Sequence, residues 1–135
     1  MKRHLLTLSL LLSTTMVSSQ SFGEWELGTI TTDPYAEFYW DRDQVRVNQG
    51  LVYWYFLANY LKPTETGTLS AKAYFESDCQ RLSVLDLSLS FYKQAMAEGQ
   101  AWETHSEKNG EVLYPPITAP FGYVLNEVCH YVNLN

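Results

Sequence analysis

Residues 69–79, LSAKAYFESDC, alternate in side-chain character at every position, and this period of two constrains the chain more than any other feature. Successive side chains of a strand point to opposite faces. Leu69, Ala71, Ala73, Phe75, Ser77 and Cys79 therefore share one face, and Ser70, Lys72, Tyr74, Glu76 and Asp78 share the other. The period recurs in RLSVLDLSLSFY (81–92), which predicts Leu85, Leu87, Leu89 and Phe91 on one face and Asp86, Ser88 and Ser90 on the other. Aromatic-rich stretches at 24–30, 35–41 and 51–60 read as strands, as does 100–106 following Gly99. Asp33-Pro34 and Asn48-Gln49-Gly50 mark turns, and Pro63 ends the third strand because proline cannot donate to a ladder.

After a loop at 106–111 and the irregular Pro115-Pro116 pair, the period changes. Phe121, Val124, Leu125, Val128, Cys129 and Val132 fall at helical spacing and give one apolar stripe. Thr118 is the expected N-cap, and Pro120 suits the first turn, while Gly122 lowers helix propensity. The expected fold class is α+β: a single antiparallel β-sheet of about six strands with a C-terminal α-helix packed on one face.

The N-terminus carries Lys2, Arg3 and His4, then the apolar run Leu5 to Val17, then small residues, the order of a secretory signal peptide. Residues 1–23 are expected to be removed, leaving 24–135 as one domain of about 112 residues. The run is shorter than the roughly 20 apolar residues a membrane-spanning helix needs. With no cysteine beside the cleavage region, the expectation is a protein exported to the periplasm or cell surface without a lipid anchor. The formal charge is −6, and loss of Lys2 and Arg3 leaves seven basic residues against fifteen acidic ones. That balance argues against nucleic acid or an anionic membrane as the main partner, since each calls for a basic patch.

Cys79 and Cys129 are the two cysteines of the chain. One sits on the less polar face of a strand and the other on the apolar stripe of the helix. In an exported chain this pattern reads as a disulfide. Free or intermolecular thiols, a metal site and a nucleophile are the competing readings. A nucleophile is disfavoured by the neighbouring Glu76 and Asp78, which oppose a thiolate. Zinc is disfavoured by the absence of CxxC or HxxxH spacing.

The ordered set EWEL, FYWD, VYW…NY…P, LSAKAYFESDCQ, SFYKQAMAEGQAW and a proline-led terminal helix with the second cysteine resembles the surface-adhesin protein E family of bacterial exported proteins. The resemblance covers Trp25 to Cys129. It implies an antiparallel sheet with a C-terminal helix, no enzymatic activity, no cofactor and, for some members, binding of host extracellular-matrix or serum proteins. Two features depart from the family's adhesin: the chain lacks a lipidation cysteine, and it is acidic where the ligand-binding stretch is associated with basic residues.

Other acid-rich spots are Asp41 and Asp43 around Arg42, and Glu103, His105 and Glu107 on alternate positions. Either could be drawn as an acid–base pair or a weak metal site, but solvated charges at strand ends account for both. No G-x-S-x-G, phosphate loop or HExxH occurs. The strand LVYWYFLANY puts Val52, Trp54, Phe56 and Ala58 on one face and Leu51, Tyr53, Tyr55 and Leu57 on the other. Tyrosine is enriched at interfaces, so the second set is the candidate contact surface. It would serve a protein partner or a second copy of the chain in a homodimer. The alternative function is a periplasmic module that binds a small apolar ligand or assists envelope assembly.

Overall fold

In the computed structural model, strand β4, Leu51–Tyr60, lies at the middle of a sheet that it organises on both sides. The structure describes residues 24–32, 34–106 and 110–134. The expected signal peptide over 1–23, Asp33 of the expected turn and Glu107 lie outside the described residues. The remaining strands are β1 (Trp25–Thr32), β2 (Tyr35–Asp41), β3 (Arg46–Asn48), β5 (Ser70–Asp78), β6 (Ser83–Tyr92) and β7 (Glu103–Ser106). One helix, α1 (Pro120–Leu134), follows them. The sheet order is β1-β2-β4-β5-β6-β7, antiparallel throughout, with the short β3 paired to the first residues of β4. This is the α+β architecture expected from the periodicity.

β2 pairs with the second half of β4 and β3 with the first half, so the two form an interrupted strand along one side of β4. The 3-10 turn Arg42–Gln44 makes the interruption, with the Asp41 carboxylate accepting the Asp43 N–H at 3.1 Å as its cap. The hairpin from β3 into β4 turns through Gln49 and Gly50, both at positive φ, as a two-residue loop requires.

α1 lies against the inner face. Trp40, Val52, Trp54, Phe56, Ala58, Ala73 and Phe75 from the sheet and Val124, Leu125, Val128 and Cys129 from the helix form one buried cluster. The indole N–H of the fully buried Trp54 donates to Ser77 Oγ at 2.9 Å, so its polar end is satisfied. Cys79 and Cys129 are joined, with Cα atoms 5.5 Å apart and 50 positions between them in sequence. The bridge ties the end of β5 to the helix that covers it.

Two features differ from the sequence reading, the helix cap and the phase of β6. The first intrahelical bond runs from the Tyr123 N–H to the Ala119 carbonyl at 2.9 Å, so Ala119, not Thr118, occupies the capping position and Pro120 begins the helix. Gly122, unfavourable by propensity, is required by proximity: a Cβ there would lie 2.1 Å from the Pro116 carbonyl oxygen.

The second difference is larger. β6 does not keep one phase. A bulge opposite Tyr74 and Phe75 leaves Leu87 unpaired, so Tyr74 faces Ser88 while Phe75 faces Asp86. Asp86 thereby joins Phe75, Ala73 and their partner Leu89 on the inner face, and Leu85 pairs with Glu76 on the outer one. The single apolar face of Leu85, Leu87, Leu89 and Phe91 expected from alternation is therefore split.

Candidate functional site

The outer face of the sheet is built from the other half of each alternation. β4 contributes Leu51, Tyr53, Tyr55, Leu57 and Asn59, β5 contributes Ser70, Lys72, Tyr74 and Glu76, and β2 contributes Glu37 and Tyr39. Cross-strand pairing sets Tyr53 against Glu76, Tyr55 against Tyr74 and Leu57 against Lys72. The Tyr55 and Tyr74 rings stack with centroids 4.6 Å apart, and Tyr53 extends the row to Tyr74 at 6.3 Å. Lys72 Nζ lies 5.7 Å from the centroids of both Tyr55 and Tyr92, a cation on the same aromatic layer.

Hydrogen bonds hold the ring edges. Tyr53 donates to Glu76 at 2.9 Å, and Tyr39 donates to Glu37 at 3.0 Å. The bond to Glu76 leads in raising the Tyr53 phenol above its ordinary value, since a donor to a carboxylate resists losing its proton. Burial, followed by the Glu37 bond, raises Tyr39. Burial and the neighbouring Tyr74 and Asp41 raise Tyr55.

The face is not open along its whole length. The segment after β6 folds back across it as the 3-10 turn Ala95–Ala97, with Met96 and Ala97 both in the left-handed region at φ 58° and 53°. Each such residue costs about 1–2 kcal/mol. Side chains on the sheet hold the turn there. Asn59 Oδ1 accepts the Met96 N–H at 2.8 Å, and Ser70 Oγ accepts the Ala97 N–H at 2.8 Å while donating to the Gln94 carbonyl at 2.6 Å. Leu57, two residues from Asn59 on this face, is fully buried at 0% exposure. Of the four expected contact residues, Leu51, Tyr53 and Tyr55 remain half-buried and accessible, and Leu57 is core to a second, smaller layer. Tyr74, which sequence reasoning placed on the right face but did not single out, is half-buried at the centre of the row and completes the surface.

Among the described residues, the acid-rich spots are engaged in local contacts. Asp41 is buried as the cap of the 3-10 turn, and Arg42 turns away to Glu26 at 2.6 Å and to the Tyr131 and Trp40 rings at 5.3 and 5.8 Å. Glu103 and His105 sit together on the exposed edge strand β7 at 3.3 Å. Among the described residues no group of three His, Cys, Asp or Glu is placed to hold a metal ion, and no helix is long and apolar enough to cross a membrane.

The sequence profile of the family described as surface-adhesin protein E matches residues 25–130. In fold, the chain is similar to Haemophilus influenzae protein E in crystal form II, with a TM-score of 0.55 and 15% identity over 71% of this chain and 82% of that one. It is similar also to a second Haemophilus influenzae protein E structure, with a TM-score of 0.52 and 13% identity over 73% of this chain and 80% of that one. No curated protein matches it in sequence.

Proposed function

The chain belongs to the surface-adhesin protein E family, and from that premise we propose that it is an exported, non-enzymatic binding protein that uses its outer tyrosine face to hold a protein partner. The observation that carries this is the Tyr53–Tyr74–Tyr55 row. Three half-buried tyrosines in contact give a rigid, amphipathic surface, and tyrosine supplies large contact area at low entropic cost. α1 packs on the inner face against β1 and β2, and the tyrosine row lies on the opposite, outer face.

The partner class that family membership supports is a host extracellular-matrix or serum protein, with a second copy of the chain as the other occupant of the same face. Residues 1–23 act as a signal peptide and 24–135 form the mature domain. Intact mass of the exported protein tests the first point, and retention of Met1 would refute it. Protease treatment of intact cells tests the location. A surface protein is removed, whereas a protein that survives with the envelope intact lies in the periplasm and is no adhesin.

A further inference from the structure

A second site lies at the end of the sheet, where the loop from β4 to β5 meets the start of β7, and it shares no residue with the tyrosine row. The loop is tightly closed. The Thr64 N–H donates to the Thr68 carbonyl at 3.0 Å, and the Gly67 N–H donates to the Thr64 carbonyl at 2.8 Å. Its threonine hydroxyls form a chain, Thr64 Oγ1 to Thr66 Oγ1 and Thr66 Oγ1 to Thr68 Oγ1, each at 3.0 Å. The Thr68 N–H donates to Thr64 Oγ1 at 3.2 Å, and the indole N–H of Trp102 donates to Thr68 Oγ1 at 3.1 Å. Lys93 completes the arrangement. Its Nζ lies 4.4 Å from the Trp102 ring centroid and donates to the Thr66 carbonyl, which ties ring and loop together.

A cavity of about 210 Å³ lies beside this chain, with the three threonines, Trp102 and Glu103 in its lining together with the Tyr60 and Phe91 rings. Two bonds join the three hydroxyls and use two of their three protons, so the chain keeps one O–H to donate beyond itself. The Glu103 carboxylate adds acceptor positions. Trp102 is 40% exposed while its N–H is already bonded, so what it offers a ligand is its ring. Hydroxyls beside aromatic rings match a pyranose, which carries hydroxyls round its edge and polarised C–H bonds on its faces. Those C–H bonds suit the negative face of an aromatic ring. Lys93 and Glu103 bring charges of opposite sign to the site, in keeping with a neutral ligand. Thr68 is buried and the loop is already bonded to the ring, so little ordering remains to be done on binding. The volume lies below the roughly 300 Å³ at which most small-molecule pockets begin, which limits the occupant to a single ring.

We propose that this cavity binds one pyranose ring of a neutral glycan, its hydroxyls on the threonine chain and Glu103 and its C–H face on the aromatic lining. The test titrates the oxidised mature protein with methyl β-galactopyranoside, methyl α-mannopyranoside and methyl β-glucopyranoside, following amide and indole N–H shifts. Sorbitol, which has the hydroxyls without the ring, and cyclohexanol, which has the ring with a single hydroxyl, serve as controls. At least one pyranoside should give saturable shifts at the Trp102 indole N–H and at the Thr66, Thr68 and Glu103 amides. Both controls should bind at least about tenfold more weakly than that sugar. Thr66→Val, which removes the middle hydroxyl and keeps the side-chain shape, should weaken the sugar about tenfold. Trp102→Ala should abolish its binding. Absence of saturable shifts at these groups with all three pyranosides, equal binding of either control, or unchanged affinity in a folded Thr66→Val variant would each overturn the proposal. The sugar series on the unmodified protein decides the matter even if a variant fails to fold.

Discussion

Gly28 and Val124 meet where the edge strand lets the helix settle onto the sheet: a Cβ on residue 28 would lie 2.7 Å from Val124 Cγ2 and 3.3 Å from the Phe38 carbonyl oxygen. The register of β1 against β2 slips between Leu27 and Thr29, so Gly28 is the irregular residue of a bulge turned toward the helix. Val124 is fully buried and β-branched, with little freedom to move aside. Gly28→Ala should therefore destabilise the fold by about 1–3 kcal/mol, as overpacking does. Gly28→Ala with Val124→Ala should lose less than the two single changes summed, because the second removes the atom that the first strikes. Urea denaturation of the four proteins measures this, and additive losses would mean that the two residues do not press on each other.

The Cys79–Cys129 bridge closes a 50-position loop, for which loop-closure entropy predicts about 4 kcal/mol. Replacing both cysteines with alanine should lower stability by about 2–5 kcal/mol. Non-reducing peptide mapping should recover the two residues in one linked fragment. Two free thiols in the exported protein, or an unchanged unfolding midpoint in the double variant, would show that the sheet and helix hold together without the bridge.

The raised phenols give a stability profile with a defined sign. Tyr39, Tyr55 and Tyr60 are raised chiefly by burial and Tyr53 chiefly by its bond to Glu76, from an ordinary value of 10.0. Where the folded-state value is the higher one, the unfolded chain releases its proton first. The contribution is then fully present below the unfolded value and is lost as pH rises through the folded one. Stability should hold to about pH 9 and fall above about pH 10. Phenolate absorbance should show part of the tyrosine population titrating late, and a flat stability curve through this range would contradict the burial of these rings.

How much of this was legible in sequence depends on how long a pattern ran without interruption. β2 and β4 occupy the expected spans because their aromatic alternation is unbroken, and the change of period marked α1. β3 was missed because Arg46–Asn48 is too short and polar to show a period. The β6 bulge was missed because no glycine or proline signals it, and a period-two reading carries its phase past Leu87 unchanged. One unpaired residue therefore moved Asp86 from one face to the other. The pairing of Ala58 with Ala71 was hidden for another reason: the two become neighbours only through strand register, which spacing along the chain does not encode. Tyr74 was within reach, since its alternation with Lys72 and Glu76 had already placed it on the outer face. The burial of Leu57 was not, because the turn that Asn59 and Ser70 hold across its end of the face is made by residues 95–97, far away in sequence.

Whether the outer tyrosine face is a contact surface is decided by comparing the oxidised mature protein with its Tyr53→Ser, Tyr55→Ser double variant. Binding to immobilised matrix and serum proteins is read by surface plasmon resonance, and self-association by light scattering. Loss of two anchoring rings should weaken whichever contact the unmodified protein makes by at least about tenfold, since interfacial tyrosines often contribute more than 1 kcal/mol each. The unfolding midpoint should move little, because these rings are half-buried. Unchanged binding in a folded double variant would contradict the account, and so would a collapsed midpoint, which would make the outer face a second core.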